Sequence, residues 1–307
     1  MKLTRLSVIC ASLAALVLLQ ACERAPSKKG ISTSDGFKES IRNMGGVAVI
    51  DDVVITRFPA SGDQYVSIEF SLNAASYMLA ATKQVLSDKG YTVDYELTPY
   101  VGAFVKIDTS SVKAASWSGK DTYRDKHHPK KPAKEKPKPT TMRVKNAEDG
   151  EAFESKPPFY MSKSIEGDSV YAAALFGFIS SFPKFHDSFS ANDTIRENLS
   201  VIGERIRAKY LLFSMAQGGS VSGAKSAAQG LFTGCLTGIA SGGMVMVSVS
   251  TQSAMNSFVG LIDLDTKEMI WKNSMRFEGG DFTDKKFYSS KNWPRTLLYH
   301  LPPRGSK

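Results

Sequence analysis

Val47-Ala48-Val49-Ile50-Asp51-Asp52-Val53-Val54-Ile55-Thr56-Arg57 is the stretch from which the fold class is read. Valine and isoleucine dominate it and Phe58-Pro59 closes it, so it reads as a buried strand. The periodicity then changes. Ile68, Leu72, Ala75, Leu79, Thr82 and Leu86 recur at steps of three and four, which places them on one helical face, and Gly90 stands where that helix should end. Tyr91, Val93, Tyr95 and Leu97 alternate with Thr92, Asp94, Glu96 and Thr98, the pattern of a strand covered on one face. Strand, helix and strand in succession predict an α/β chain.

Between Ser118 and Thr141 this order is lost. The run from His127 to Pro139 has no aliphatic residue larger than alanine, and its prolines oppose regular pairing, so it is expected to be an exposed, disordered insert. Ser169 to Ser180 is apolar nearly all round and reads as a buried helix. A second, amphipathic helix carries Ile195, Leu199, Ile202 and Ile206 on one stripe, with Ser190 and Asp193 spaced as a capping box. Tyr210 to Met215 reads as a strand. Phe258 to Leu264 and Met269 to Phe277 flank Asp265-Thr266-Lys267-Glu268 and predict a hairpin. No fixed-period repeat runs through the chain.

The amino terminus has its own logic. Lys2 and Arg5 precede an uncharged, mostly apolar run from Leu6 to Leu19, which is shorter than the roughly 20 residues a spanning helix needs. Leu19-Gln20-Ala21-Cys22 resembles the bacterial lipobox. The resemblance covers the first 22 residues and implies cleavage after Ala21, with lipid, palmitate included, carried by Cys22. The competing reading is a plain signal peptide or membrane helix that happens to contain a cysteine. Several acyl chains anchor stably where one binds reversibly, so a membrane partner through the lipid is expected. Glu23 stands where enterobacterial lipoproteins kept at the inner membrane carry aspartate. The expected location is therefore the periplasmic face of the outer membrane, with the inner membrane the lesser alternative.

Cleavage would take 21 of 307 residues and leave 286, enough for one large domain or two small ones. Of the three cysteines, Cys10 lies in the signal and Cys22 is the anchor, so Cys235 has no partner for a disulfide and reads as a small core residue. The net charge of +9 falls to +7 when Lys2 and Arg5 leave with the signal. Lys120 to Lys145 carries ten basic and three acidic residues, a local +7, so the rest of the mature chain is formally neutral. The basic balance belongs to one segment, and no nucleic-acid partner is expected. The expected division is signal 1–21, tether 22–35, first part of the domain 36–117, basic Pro-rich insert 118–145, second part 146–290 and tail 291–307.

The succession strand-helix-strand, then Arg207-Ala208-Lys209 leading into Tyr210-Leu211-Leu212-Phe213, then Leu261-Ile262-Asp263-Leu264 running to Ile270-Trp271, resembles periplasmic lipoproteins that share the fold of the TolB amino-terminal domain. The curli-secretion lipoprotein and several peptidoglycan-synthesis activators belong to that group. Its last hairpin usually reads aspartate, then Thr-Gly-Glu, then tryptophan. Asp263, Thr266, Glu268 and Trp271 fit, while Lys267 replaces the glycine that supplies a left-handed turn residue. Over roughly residues 45 to 277 the resemblance implies an α/β sandwich, with a mixed sheet flanked by helices, and a non-catalytic role in envelope assembly or secretion. The partner it implies is a periplasmic envelope protein that the sequence does not identify.

Chemical motifs are few. Gly219-Ser220-Val221-Ser222-Gly223-Ala224-Lys225-Ser226 resembles a phosphate-binding loop, but Ala224 puts a methyl where backbone must approach phosphate, and the periplasm has no nucleoside triphosphate pool. A flexible Gly/Ser loop is the preferred reading. No Gly-x-Ser-x-Gly elbow occurs. His127 and His128 are adjacent within the charge run and lack an accompanying carboxylate or cysteine at fixed spacing, and His186 and His300 are isolated. No catalytic residue, metal ligand or cofactor is expected.

Ala227 to Val249 holds 23 residues without a charge, and Gly230, Gly234, Gly238 and Gly242 recur every fourth position. On a helix these glycines would form a groove for close backbone approach, resembling a glycine zipper and pointing to a homo-oligomer. Each glycine costs a helix about 1 kcal/mol, so a loop or extended segment is an equal alternative. Met244 to Val249 has the composition of a strand. The leading expectation is a non-enzymatic assembly or adaptor lipoprotein. Behind it stand a self-associating secretion or pore subunit and, more weakly, an envelope hydrolase with an unrecognised site. Only a thiol accepts the lipid, so Cys22→Ser is expected to abolish acylation. Labelled palmitate on that variant would refute the anchor.

Overall fold

The Val47–Arg57 stretch lies within strand β2, Gly46–Phe58, in a computed structural model that describes residues 31–35, 37–58, 64–98, 101, 142–145, 150–221, 253–278, 280–289 and 293–305. β2 pairs in parallel with β7 (Tyr210–Val221) from Ala48↔Leu211 to Phe58↔Val221. On its other side it pairs in parallel with β4 (Thr92–Leu97) as far as Ile50↔Leu97, and then antiparallel with β3 (Tyr65–Ser67) at Thr56 and Arg57. β8 (Ala254–Asp263), β9 (Glu268–Glu278) and β1 (Ser32–Thr33) extend the sheet past β7. β5 (Met142–Lys145) and β6 (Ala152–Ser155) extend it past β3. The result is a mixed α/β fold, with a nine-stranded open sheet and six helices among the described residues.

Alternation along β2 sends its side chains into two cores. Val47, Val49, Val53 and Ile55 face α1 (Phe37–Asn43), α2 (Ile68–Asp88) and the carboxy-terminal residues. Ala48, Ile50 and Val54 face the layer built by α3 (Lys163–Glu166), α4 (Ser169–Ser188) and α5 (Asp193–Ile206). The stripe predicted for α2 is buried at Ile68, Ala75, Leu79, Thr82 and Leu86, with Leu72 half-buried. Ser67 caps the helix, its hydroxyl accepting from the Phe70 amide at 3.4 Å, and Gly90 at φ +83° turns the chain into β4. α5 buries Ile195, Leu199, Ile202 and Ile206 as its spacing predicts.

Several boundaries differ from the sequence reading. The cap of α5 is Asn192, whose Oδ1 accepts from the Ile195 amide at 2.9 Å, and not the Ser190 and Asp193 pair. α4 runs past Ser180 to Ser188 through Pro183, because Phe182 just before the proline and Phe185 and His186 after it all find core positions. Burying two phenylalanines, each worth about 1.5–3 kcal/mol, offsets the roughly 3 kcal/mol that an interior proline costs. β7 continues beyond Met215 to Val221. Gly218 permits this, since a Cβ there would lie 3.1 Å from both Ile55 Cδ1 and Met255 Cε. Residues 142–145, assigned to the insert, form β5 with Val144 buried. Ser32 and Thr33, assigned to the tether, pair with Lys272 and Trp271. The expected tail sends Trp293, Leu297, Leu298 and Leu301 into the core beside α2.

The two ends of the sheet differ. At the end where β2 begins, the connections among the described residues are tight: Lys89 to Tyr91, Arg207 to Lys209 and Leu264 to Lys267. At the end where β2 and β7 finish, Phe58, Val221 and Ala254 stand together, and Met142 opens β5 on the same side of the sheet. Segments 59–63, 102–141 and 222–252 therefore all return to the described fold at the carboxyl end of the parallel strands.

The β8–β9 turn is built on Asp263, whose Oδ1 accepts from the amides of Asp265 at 2.9 Å and Thr266 at 3.2 Å. Lys267 sits at φ +63°, the left-handed conformation that glycine adopts without penalty. Lys267→Gly is expected to raise stability by about 0.5–1 kcal/mol, measured by urea unfolding. A destabilised variant would contradict this account of the turn.

Candidate functional site

Adjacent residues in a strand project to opposite faces, so Asp51 and Asp52 each enter a different core. Both are fully buried. Their height in the sheet follows from the strand ends: β4 stops opposite Ile50, so the two aspartates come directly after the point where β2 loses its parallel neighbour on that side. The chain passes from β2 to β4 through α2 on one face, and reaches β7 through α4 and α5 on the other. Asp51 and Asp52 thus stand in the middle of β2, six residues short of the end of its ladder with β7.

Asp51 pairs in register with Ser214 of β7, and Thr82 of α2 approaches it from above the sheet. Burial pushes its carboxyl up to about 7, a rise that the Ser214 and Thr82 hydroxyls partly counter. Those hydroxyls are near enough to act on the charge, yet they are not placed for bonding: both Asp51 oxygens and the Thr82 Oγ1 lack a hydrogen-bond partner in the structure. Asp52, in register with Met215, is in the same condition. Burial drives its carboxyl well above the ordinary range, and the charge of Asp51 adds to the rise. Four orphaned carboxyl oxygens at the centre of a sheet are uncommon in native proteins and call for a physical reason.

The arrangement limits the chemistry. A pair that shares a proton or flanks a substrate must converge on one space, and these carboxyls diverge across the plane of the sheet. Among the described residues no cluster of three or more His, Cys, Asp or Glu is placed to hold a metal ion. What the pair does is make folding depend on protonation. His186 is a second buried titratable group, on the α4 side. Its Nε2 lies 3.2 Å from the Asn273 carbonyl, its ring packs against Phe182 and Phe258, and burial lowers it to about 4, so it is neutral at physiological pH. The Lys272 ammonium donates to the His186 and Asp187 carbonyls and closes the carboxyl end of α4.

Ala21, Cys22, Gly230, Gly234, Gly238 and Gly242 all lie outside the described residues, as do His127, His128, Cys235 and the strand proposed at Met244 to Val249. Of the phosphate-loop look-alike, Gly219 is a ladder residue, paired with Thr56 and Ala254, so the motif begins inside a strand rather than after one. The aspartate pair escaped the sequence reading because Val47 to Arg57 scored as a buried strand on its aliphatic residues. Two consecutive acids at the midpoint of such a strand were the available signal. No family model, curated protein or solved structure matches the chain.

A carboxyl raised above its unfolded value of 3.8 binds more protons folded than unfolded, so stability falls as pH rises from near 4 to near 7. Each pH unit in that window is worth up to about 1.4 kcal/mol per group. Asp51→Asn keeps the volume and removes the titration. It is expected to leave stability little changed at pH 4 and to raise it by several kcal/mol at pH 8, measured by urea unfolding across pH. An unchanged pH slope would show that Asp51 is ionised in the folded state.

Proposed function

We propose that this chain is a non-enzymatic lipoprotein, anchored through Cys22 to the periplasmic face of the outer membrane, and that it acts as an assembly or adaptor component of the envelope. The observation that carries the proposal is the unequal ends of the sheet. Binding residues concentrate on long connections held by a rigid scaffold, and the described residues at which segments 102–141 and 222–252 rejoin the fold lie at the carboxyl end of the parallel strands, while the connections at 89–91, 207–209 and 264–267, at the opposite end, are tight. Among the described residues no helix is long and apolar enough to cross a membrane. In this proposal the anchor is the lipid on Cys22.

The fold is proposed to be of the TolB amino-terminal-domain type. Support comes from β2–α2–β4 in that order, from α5 leading through Arg207-Ala208-Lys209 into β7, and from the β8–β9 hairpin with Trp271 buried. The chain approaches β1 from the side of the long connections, since residue 31 lies on the Asn273 side of Ser32 in the antiparallel pairing with β9. Nine residues separate Cys22 from Ser32, and the ten steps between them span at most about 35 Å, which keeps the domain close to its membrane.

A second proposal, a self-associating secretion or pore subunit, is favoured by one feature. β7 and β8 remain paired up to Gly219↔Ala254, so the uncharged stretch from Ala227 to Val249 is bounded by neighbouring strands.

A photo-cross-linking residue at Gln64, at the end with the long connections, is expected to trap envelope proteins far more often than one at Asp265, in the turn at the opposite end. Equal or reversed trapping would overturn the adaptor proposal. Sedimentation of the detergent-solubilised chain separates the two proposals, a monomer favouring the adaptor and a ring of many copies the pore.

A further inference from the structure

Away from the carboxylate pair, the outer surface of α2 carries a groove of about 260 Å³ between that helix, α6 (Lys285–Ser289) and the Pro294–Arg295 segment. Its origin is local. Ala80 and Ala81 are too small to fill the space their helix faces toward α6, and the rings of Tyr77 and Tyr288, with centroids 5.9 Å apart and tilted by 48°, bound it. Tyr288 is pinned there, its hydroxyl donating to the Phe282 carbonyl at 2.9 Å, and its ring packs edge-on against Trp293. The floor is therefore aromatic and preformed.

The rim is cationic. Arg295 donates to Asp88 Oδ2 at 3.3 Å, and Gln84 donates to Asp88 Oδ1 at 2.7 Å, so this one carboxylate serves two donors and holds the guanidinium at the mouth of the groove. That ion pair is half-exposed, and a guanidinium carries five N–H donors, so Arg295 keeps donors for a further anion. Lys285 lines the same groove, and its ammonium has no carboxylate within ion-pairing distance among the described residues. An apolar floor sized for about one ring beneath two cations is complementary to a compact molecule with an aromatic body and a single negative charge.

We propose that this groove binds a small aromatic monocarboxylate, its ring resting over Ala80 and Ala81 against the edges of Tyr77 and Tyr288 and its carboxylate reaching Lys285 and Arg295. The binding does not depend on lipidation or on the envelope role proposed above, so each can fail without the other.

The test is titration of the full chain in detergent with 3-phenylpropionate, followed by calorimetry and by nuclear magnetic resonance shifts of the Tyr77 and Tyr288 rings. A Kd on the order of 1 mM is expected for a ligand of this size. Ala81→Leu fills the groove without opposing the helix and should weaken binding at least tenfold. Lys285→Gln should weaken it roughly threefold to tenfold, as should raising the salt concentration. The uncharged analogue 3-phenylpropanol should bind at least threefold more weakly than the acid. Thermal unfolding of each variant distinguishes lost binding from lost structure, and Ala80→Leu provides a second filled groove should Ala81→Leu fail to fold. Absence of saturable binding at 10-fold that Kd, equal affinity for acid and alcohol, or undiminished affinity in a folded filled-groove variant would each overturn the proposal.

Discussion

The parallel ladder between β2 and β7 is the constraint on which the rest of the structure depends. It runs from Ala48↔Leu211 to Phe58↔Val221 and joins the first half of the chain to the second, with more than a hundred intervening residues between the two strands. A strand buried on both faces must receive cover on both. The chain supplies it by sending α2 across one face, and α4 and α5 across the other. The antiparallel additions, β8 and β9 on one flank and β3, β5 and β6 on the other, then have their register set by that central pair. Parallel pairing over this separation is slow to form, because loop closure precedes the reward of contact.

The same ladder explains why Asp51 and Asp52 are so exposed to electrostatic penalty. A surface strand could turn one of them to water, but β2 has no wet face at that height. The opposing residues are Ser214 and Met215, one weakly polar and one apolar. Burial therefore favours the protonated form of both carboxyls, and packing elsewhere holds them in place. Conserving a stable sheet would favour aliphatic residues at both positions, so their presence marks the centre of β2 as a place where stability is not the sole demand.

Edges and ends are handled by different devices. β1 pairs with β9 only at Trp271 and Lys272. Just beyond, Asn273 Oδ1 accepts from the Ser274 amide at 2.8 Å, while its Nδ2 donates to the Leu297 carbonyl at 2.7 Å. A side chain thus occupies an edge donor that another strand would otherwise take, and also fastens the carboxy-terminal segment to the sheet. That segment returns to the opposite end, where the Arg304 amide donates to the Lys89 carbonyl and Lys89 Nζ reaches the Leu301 carbonyl at 2.7 Å. Backbone and the Lys89 side chain together tie the carboxy-terminal segment to the end where β2 begins.

Local pattern was enough to read β2, α2, β4, α5 and the β8–β9 hairpin from the sequence, because each displays a periodicity that its own residues impose. The sequence marks Lys267 only as a replacement for the turn glycine of the lipoproteins the chain resembles, and the structure shows that it keeps the left-handed conformation, at φ +63°. The anchor proposed at Cys22 rests on the sequence alone, since a lipobox-like tetrapeptide is a linear signal. Long-range pairing and packing decided the rest. Pro183 stays inside α4 because Phe178 and Phe182 meet Phe213 of β7 across the core, contacts that no local rule contains. Residues past 290 become core because the α2 face lacks a cover until Trp293 and Leu297 arrive. Asp51 and Asp52 become unusual, rather than merely acidic, only when both faces of their strand are closed, and that closure is a property of the assembled sheet and its two helical layers.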